Sequence, residues 1–166
     1  MSTIAVRRKT TATPRAGVAG WLDWLVRVPM WLHQLLFRLG VASVFLRAGM
    51  TKASSWESTV GLFRDEYRVP VLPPELAATL ATTFELGCST LLILGLGTRL
   101  ATIPLLGMIA TIQLFVYPHA WPEHLTWMSI LVFLLTRGGG TLSLDHAIDT
   151  ITARTPSTEA MHNGIA

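Results

Sequence analysis

Residues 76–96 read LAATLATTFELGCSTLLILGL, an apolar stretch whose one charged residue, Glu85, lies near its middle. A helix of this length spans about 30 Å, which matches the hydrocarbon core of a bilayer. Pro73 and Pro74 precede the stretch and Gly97 follows it, as is typical of residues that begin and end helices. The stretch therefore predicts a transmembrane helix that carries a carboxylate well inside the membrane.

Three further stretches have similar apolar character, at residues 31–49, 100–117 and 121–136. The whole chain is 51% hydrophobic and only 14% charged, whereas a soluble domain carries about 25% charged residues. We therefore predict an all-α membrane protein, a four-transmembrane-helix bundle. The last stretch is the shortest, so a three-span protein with a buried fourth segment is the alternative.

The segments around the spans predict three regions. Residues 1–20 are basic, contain no acid and predict a disordered cytoplasmic tail; a transit peptide is the alternative. Residues 21–28 place apolar side chains on one helix face, which favours a short N-terminal interfacial helix over an irregular lead-in. The membrane domain then covers residues 21–151, ending in a surface helix over 141–151, and 152–166 form a flexible C-terminal tail.

The distribution of Lys and Arg predicts the orientation. With the N-terminus inside, eight of the 13 basic residues lie on the inner side, three lie outside, and Arg38 and Arg47 lie within the first span. Both termini are then cytoplasmic, and the loop over 54–75 is extracytoplasmic. The basic residues form no stripe with interleaved aromatics, which excludes a nucleic-acid partner. The single cysteine, Cys88, excludes an internal disulfide and a cysteine zinc cluster.

Polar residues inside the spans are the candidate site, because an ionisable side chain at that depth costs about 2.5 to 3.5 kcal/mol on insertion scales. Arg38 lies about 16 Å and Glu85 about 13 Å below the outer ends of their spans, so we expect them to pair. Arg47 can reach water or headgroups, and an Arg47–Glu85 contact is the alternative. Such a pair either forms part of a site that binds a small ligand or passes a proton, or only fixes the register of the two helices. For Gln113 in the third span, a hydrogen bond between helices is the favoured interpretation.

Two histidines in the last outer loop are weak candidates for metal binding. His119 and His124 are five residues apart and could join Glu123, Asp65 or Glu66 around a metal ion. Their spacing matches no closed zinc pattern, and an aromatic belt with interfacial histidines is the favoured interpretation. We therefore predict no metal site.

Three motifs in order resemble the DoxX family. The first is Arg38-x6-Phe45-x3-Gly49-x2-Lys52, and the second combines Glu85-Leu86 with the run from Leu92 to Arg99. The third is GGGTLSLD at residues 138–145. The resemblance implies a four-helix protein of the bacterial inner (plasma) membrane, related to the small membrane subunit of thiosulfate:quinone oxidoreductases. It also marks Arg38, Glu85 and Arg99 as positions within the shared motifs.

The resemblance implies a redox-associated membrane subunit or anchor that holds a quinone or another small ligand between its helices. The expected ligand, quinone or proton site comprises Arg38, Glu85, Gln113 and Arg99. The sequence contains no cofactor-binding motif, so a non-catalytic subunit is favoured over a quinone-linked oxidoreductase. The expected partners are the lipid bilayer, a soluble oxidoreductase subunit and a second copy of the chain. The alternatives are a small transporter or export helper without redox chemistry, and a purely structural membrane protein.

Overall fold

Every regular element that the computed structural model describes, over residues 27–154, is a helix. In order they are α1 (Met30–Ser54), α2 (Trp56–Leu62), α3 (Pro74–Leu94), α4 (Thr98–Thr111), α5 (Trp121–Arg137) and α6 (Leu144–Arg154). Two π-helical turns, Phe63–Tyr67 and Ile112–Val116, continue α2 and α4, and a 3₁₀ turn, Pro118–Ala120, precedes α5. The prediction of an all-α fold is confirmed.

The four long helices coincide with the four predicted spans, and local chemistry explains their ends. α1 begins after Pro29 and continues to Ser54, beyond the predicted end at Gly49, because no glycine or proline interrupts residues 50–54. α3 ends where Gly95 takes a left-handed conformation with φ of 69°. A side chain at that φ is disfavoured, so glycine terminates the helix at low cost.

Two helical stretches, Pro74–Leu94 and Thr98–Val116, are long and apolar enough to cross a membrane by length and composition. α1 has 25 residues but carries Arg38, Arg47 and Lys52, which lower its mean hydropathy. α5 has 17 residues, fewer than the 19 of the continuous helical stretch Thr98–Val116. Two of the four predicted spans therefore meet this measure.

The structure moves several boundaries outside the bundle. The loop expected over 54–75 contains α2 and its π-helical turn. The surface helix expected over 141–151 corresponds to α6, which extends to Arg154 and so includes the first three residues of the predicted C-terminal tail. The predicted tail over 1–20, residues 21–26 of the predicted interfacial helix, and residues 155–166 lie outside the described residues.

The core lies between α1, α3, α4 and α5. α1 and α3 are antiparallel, because Arg38 contacts the end of α3 whereas Lys52 contacts its middle. Edge-to-face pairs join α1 to α5, with ring centroids 5.0 Å apart for Phe37 and Phe133. The buried apolar residues of this core are Val41, Ala42, Phe45, Cys88, Leu92, Ala101, Leu105, Ile109, Leu131 and Leu134.

Gly49 permits the closest approach of α1 to α3. A Cβ atom at Gly49 would lie 2.9 Å from Glu85 Cβ and 2.9 Å from the Leu86 side chain. Real Cβ atoms do not come this close to other heavy atoms, so any larger residue must push the two helices apart. The contact fixes the height of Glu85 relative to α1.

We expect Gly49→Ala to lower the free energy of unfolding by about 1–3 kcal/mol, because the methyl group overpacks the α1–α3 contact. Gly40→Ala is the matched control in the same helix, since nothing lies within 4 Å of a Cβ atom there. The control should leave stability unchanged or raise it slightly, because alanine favours helix. Thermal unfolding of both variants in detergent measures the difference, and equal stabilities would contradict the close contact.

Candidate ligand site at the Lys52–Glu85 ion pair

Glu85 is buried and pairs with Lys52. Lys52 Nζ lies 2.7 Å from Glu85 Oε1 and 2.8 Å from Oε2. The Glu85 side chain is 4% exposed and the Lys52 side chain 16% exposed. The ammonium group has three N–H donors, so one remains after both carboxylate oxygens are bound. The pair therefore keeps hydrogen-bonding capacity for a ligand.

The expected Arg38–Glu85 pair is wrong, and Arg47 does not bind Glu85 either. The reason is helix length and register: α1 continues past Gly49, and Gly49 itself lies against Glu85. Lys52, three residues further along the same helix, therefore faces the carboxylate.

Arg38 instead binds backbone carbonyls. It donates from Nε to Leu92 O at 2.9 Å, from Nη2 to Ile93 O at 3.2 Å, and from Nη1 to Gly139 O at 2.8 Å and Leu142 O at 3.0 Å. Carbonyls at a helix C-terminus carry partial negative charge and lack intrahelical partners. Arg38, only 2% exposed, therefore joins the end of α3 to the segment that follows α5.

Asp145 completes the same end of the bundle. Its carboxylate accepts hydrogen bonds from the backbone N–H of Gly97 at 2.7 Å and of Thr98 at 3.1 Å. Its own N–H donates to Gly95 O at 3.0 Å. Asp145 therefore caps the N-terminus of α4 with negative charge, which the helix dipole favours.

Arg99 and Gln113 lie away from Glu85. Arg99 donates to Thr136 O at 3.3 Å, at the end of the bundle that contains Asp145. Gln113 donates to Pro118 O at 2.9 Å, and its Oε1 lies 2.6 Å from Nδ1 of His124 on α5. The structure thus separates the four expected site residues: Glu85 lines one cavity, beside Lys52, whereas Arg99 lines another, of about 800 Å³, together with Asp145.

The two candidate histidines also differ in their surroundings. His124 is buried and its ring lies 5.7 Å from the Trp127 ring, whereas His119 is exposed. Within residues 27–154 no group of three or more His, Cys, Asp or Glu side chains is arranged to hold a metal ion.

An apolar groove of about 470 Å³ lies between α3 and α4 and reaches the Lys52–Glu85 pair. Small residues make this space: Ala77 and Ala81 on α3, and Pro104 and Gly107 on α4. Larger residues form the rest of its wall, including Leu80, Phe84, Ile103, Met108, Ile112 and Val116. Ile103 is 54% exposed, so the groove opens on the apolar outer surface of the bundle.

Two tyrosines line the groove beside the π-helical turns. Tyr67 ends one turn and Tyr117 follows the other, and their rings meet edge to face with centroids 5.7 Å apart. The Tyr117 hydroxyl donates to the Glu66 carboxylate, which raises the pKa of Tyr117. Burial raises the pKa of Tyr67. Both phenols therefore stay protonated at neutral pH.

Two features of the sequence relate to this groove. Nothing between Gly49 and Ser54 ends a helix, so the sequence is compatible with a first helix that includes Lys52. The small residues on the facing sides of α3 and α4 recur at helical spacing. Hydrophobic periodicity cannot show that these two faces leave space between them, because that depends on how the helices pack.

We expect Arg38→Met to lower the free energy of unfolding by at least about 3 kcal/mol, since four backbone carbonyls lose a charged donor in a buried setting. Arg64→Met is the control, because Arg64 is 59% exposed and forms a surface ion pair with Glu75. That change should cost less than about 1 kcal/mol. Thermal unfolding in detergent compares them, and a stable, normally folded Arg38→Met variant would contradict the structural role.

The comparison with known proteins identifies the family. The DoxX family model matches residues 33–118, just over half of the chain, and this range includes Arg38, Lys52 and Glu85. The closing motif at 138–145 lies outside the matched range. No curated protein and no solved structure matches the chain. The chain belongs to the DoxX family, which is membrane-associated.

Proposed function

We propose that this protein is a redox-associated subunit of a bacterial inner membrane and that it binds a quinone in the groove between α3 and α4. The observation that carries the proposal is the juxtaposition of an apolar groove of about 470 Å³ with a buried ion pair. Ligand sites have this character: mostly apolar walls, a volume of about 300 to 1,000 Å³ and a few convergent polar groups.

The polar end of the groove suits a quinone head group. The remaining N–H of Lys52 can donate to a quinone carbonyl, and Glu85 can accept from the hydroxyl of the reduced form. The apolar wall and its opening on the outer surface suit an isoprenoid tail that continues into lipid. A quinone supplies two-electron, two-proton redox chemistry when bound, and a soluble oxidoreductase subunit is the proposed electron-transfer partner.

The groove favours this proposal over a transporter. A transporter needs polar residues along one path. Arg38, however, binds backbone carbonyls at the end of α3, whereas Gln113 binds Pro118 O and His124 elsewhere in the bundle. The groove itself is lined mainly by carbon and opens sideways toward the lipid-facing surface. That geometry suits a ligand that reaches its site from the membrane.

The proposal includes four crossings with both termini in the cytoplasm. Two helices meet the length and composition for a span, and α1 and α5 pack against them in one bundle. At 1.5 Å per residue, the 17 residues of α5 span about 26 Å, close to the thickness of a thin hydrocarbon core. The charged Arg38 and Glu85 lie inside the bundle, as intramembrane charges do.

Single-cysteine labelling tests this topology. We expect Ser58→Cys and His119→Cys, made in a Cys88→Ala background, to react with a membrane-impermeant maleimide in intact cells. Thr141→Cys should react only after the membrane is opened, because α5 then separates it from His119. All three positions are exposed in the structure. Labelling of His119→Cys and Thr141→Cys from the same side would contradict a fourth crossing.

Filling the groove tests the ligand site. We expect Gly107→Leu to weaken decylubiquinone binding to the purified full chain about tenfold or more, since the new side chain occupies the groove. Nothing lies within 4 Å of a Cβ atom at Gly107, so the fold should tolerate the change. Gly87→Leu is the matched control: it is an equally open helical glycine that does not line the groove.

Substitution of the ion pair tests the same site in the same decylubiquinone-binding assay. Glu85→Gln should also weaken binding, because it removes the carboxylate that orients Lys52. Glu75→Gln makes the same chemical change on the same helix at an exposed ion pair and should bind normally. Thermal unfolding without ligand confirms that each variant folds. Equal decylubiquinone affinity across all four variants would refute the proposed site.

A further inference from the structure

We infer that a second cavity, beside Arg47, binds the phosphodiester headgroup of an anionic glycerophospholipid. The cavity has a volume of about 540 Å³ and lies between α1 and α2. Arg47 and Lys52 contribute the cationic groups, and Ser55 and Ser58 contribute hydroxyls. The inference is separate from the quinone groove and shares with it only the membrane setting and two lining side chains, Lys52 and Tyr67.

The charges around this cavity leave one net positive charge. Lys52 is bound through both oxygens of Glu85, so its charge is balanced within the protein. Arg47 is exposed, and its guanidinium has no hydrogen bond or ion pair within residues 27–154. No carboxylate is among the described residues that line the cavity. One positive charge matches the single negative charge of a phosphodiester.

The hydroxyl groups are also suited to a phosphate. Thr51 and Thr59 already donate to the backbone oxygens of Arg47 and Lys52, each at 3.0 Å. The Ser55 and Ser58 side chains have no such hydrogen bond in the described part of the chain, so both O–H groups are available. A guanidinium binds two phosphate oxygens in a bidentate arrangement, and the serines can donate to the others.

The position of the cavity favours a lipid over a free anion. Arg47 lies seven residues before the end of α1, about 10 Å along the helix axis. Val44, Ala48 and Leu62 give the cavity an apolar side next to its cationic group. A phospholipid can contact both the cationic group, through its phosphate, and the apolar side, through its glycerol and acyl chains. Inorganic phosphate can contact only the cationic group.

Binding of short-chain lipids to the purified full chain in detergent tests the inference. We expect dihexanoyl phosphatidylglycerol to bind more tightly than dihexanoyl phosphatidylcholine, whose headgroup carries a compensating positive charge. Arg47→Gln should weaken phosphatidylglycerol binding about tenfold, the loss expected for one charge-assisted phosphate contact. Arg47→Lys should retain part of the affinity, because it keeps the charge but loses the bidentate geometry.

Arg64→Gln is the matched control. It removes one exposed positive charge and so changes net charge equally, but Arg64 lies in the π-helical turn after α2 and does not line the cavity. Its phosphatidylglycerol affinity should equal that of the unaltered chain. Equal effects of Arg47→Gln and Arg64→Gln would overturn the site. Equal affinity for phosphatidylglycerol and for water-soluble glycerophosphoglycerol would overturn the lipid assignment, since the acyl part would then contribute nothing.

Discussion

The buried guanidinium of Arg38 is the interaction on which the rest of the bundle depends. A charge at this depth is tolerated only when its donors are satisfied, and here four backbone carbonyls from two separate segments satisfy them. Two of these carbonyls belong to the end of α3, where the helix dipole concentrates negative charge. The single side chain of Arg38 therefore connects α1 both to α3 and to the segment after α5.

Asp145 has the complementary role at the N-terminus of α4. Arg38 supplies positive charge to the C-terminus of α3, and Asp145 supplies negative charge to the N-terminus of α4. The turn between the two helices is short and contains Gly95 and Gly97 at positive φ, so both charges act on one compact junction. At this end of the bundle the charged side chains of Arg38 and Asp145 are both satisfied by backbone groups.

The other end differs because its polar groups are only partly used. Lys52 and Glu85 bind each other but retain a donor and acceptor capacity, and they lie at the base of an apolar groove. Arg47 lies near the same end of α1 with its guanidinium exposed. The two ends therefore differ in a physical sense. Buried charges whose hydrogen-bonding groups are all bound within the protein hold the helices together, whereas charges that keep unused hydrogen-bonding groups beside a cavity are available to a ligand.

The sequence by itself determined the all-α class, the four long helices and their approximate ends, because hydrophobic runs and Pro and Gly signals are local properties of the chain. It also identified Glu85 as a buried ionisable residue that needs a partner. Only the tertiary structure decided that this partner is Lys52 and that Arg38 binds carbonyls. That choice depends on how far α1 extends and on the close contact of Gly49 with Glu85. The groove likewise exists only where the small residues of α3 and α4 face each other, since empty space between helices is a property of their packing and not of either helix alone.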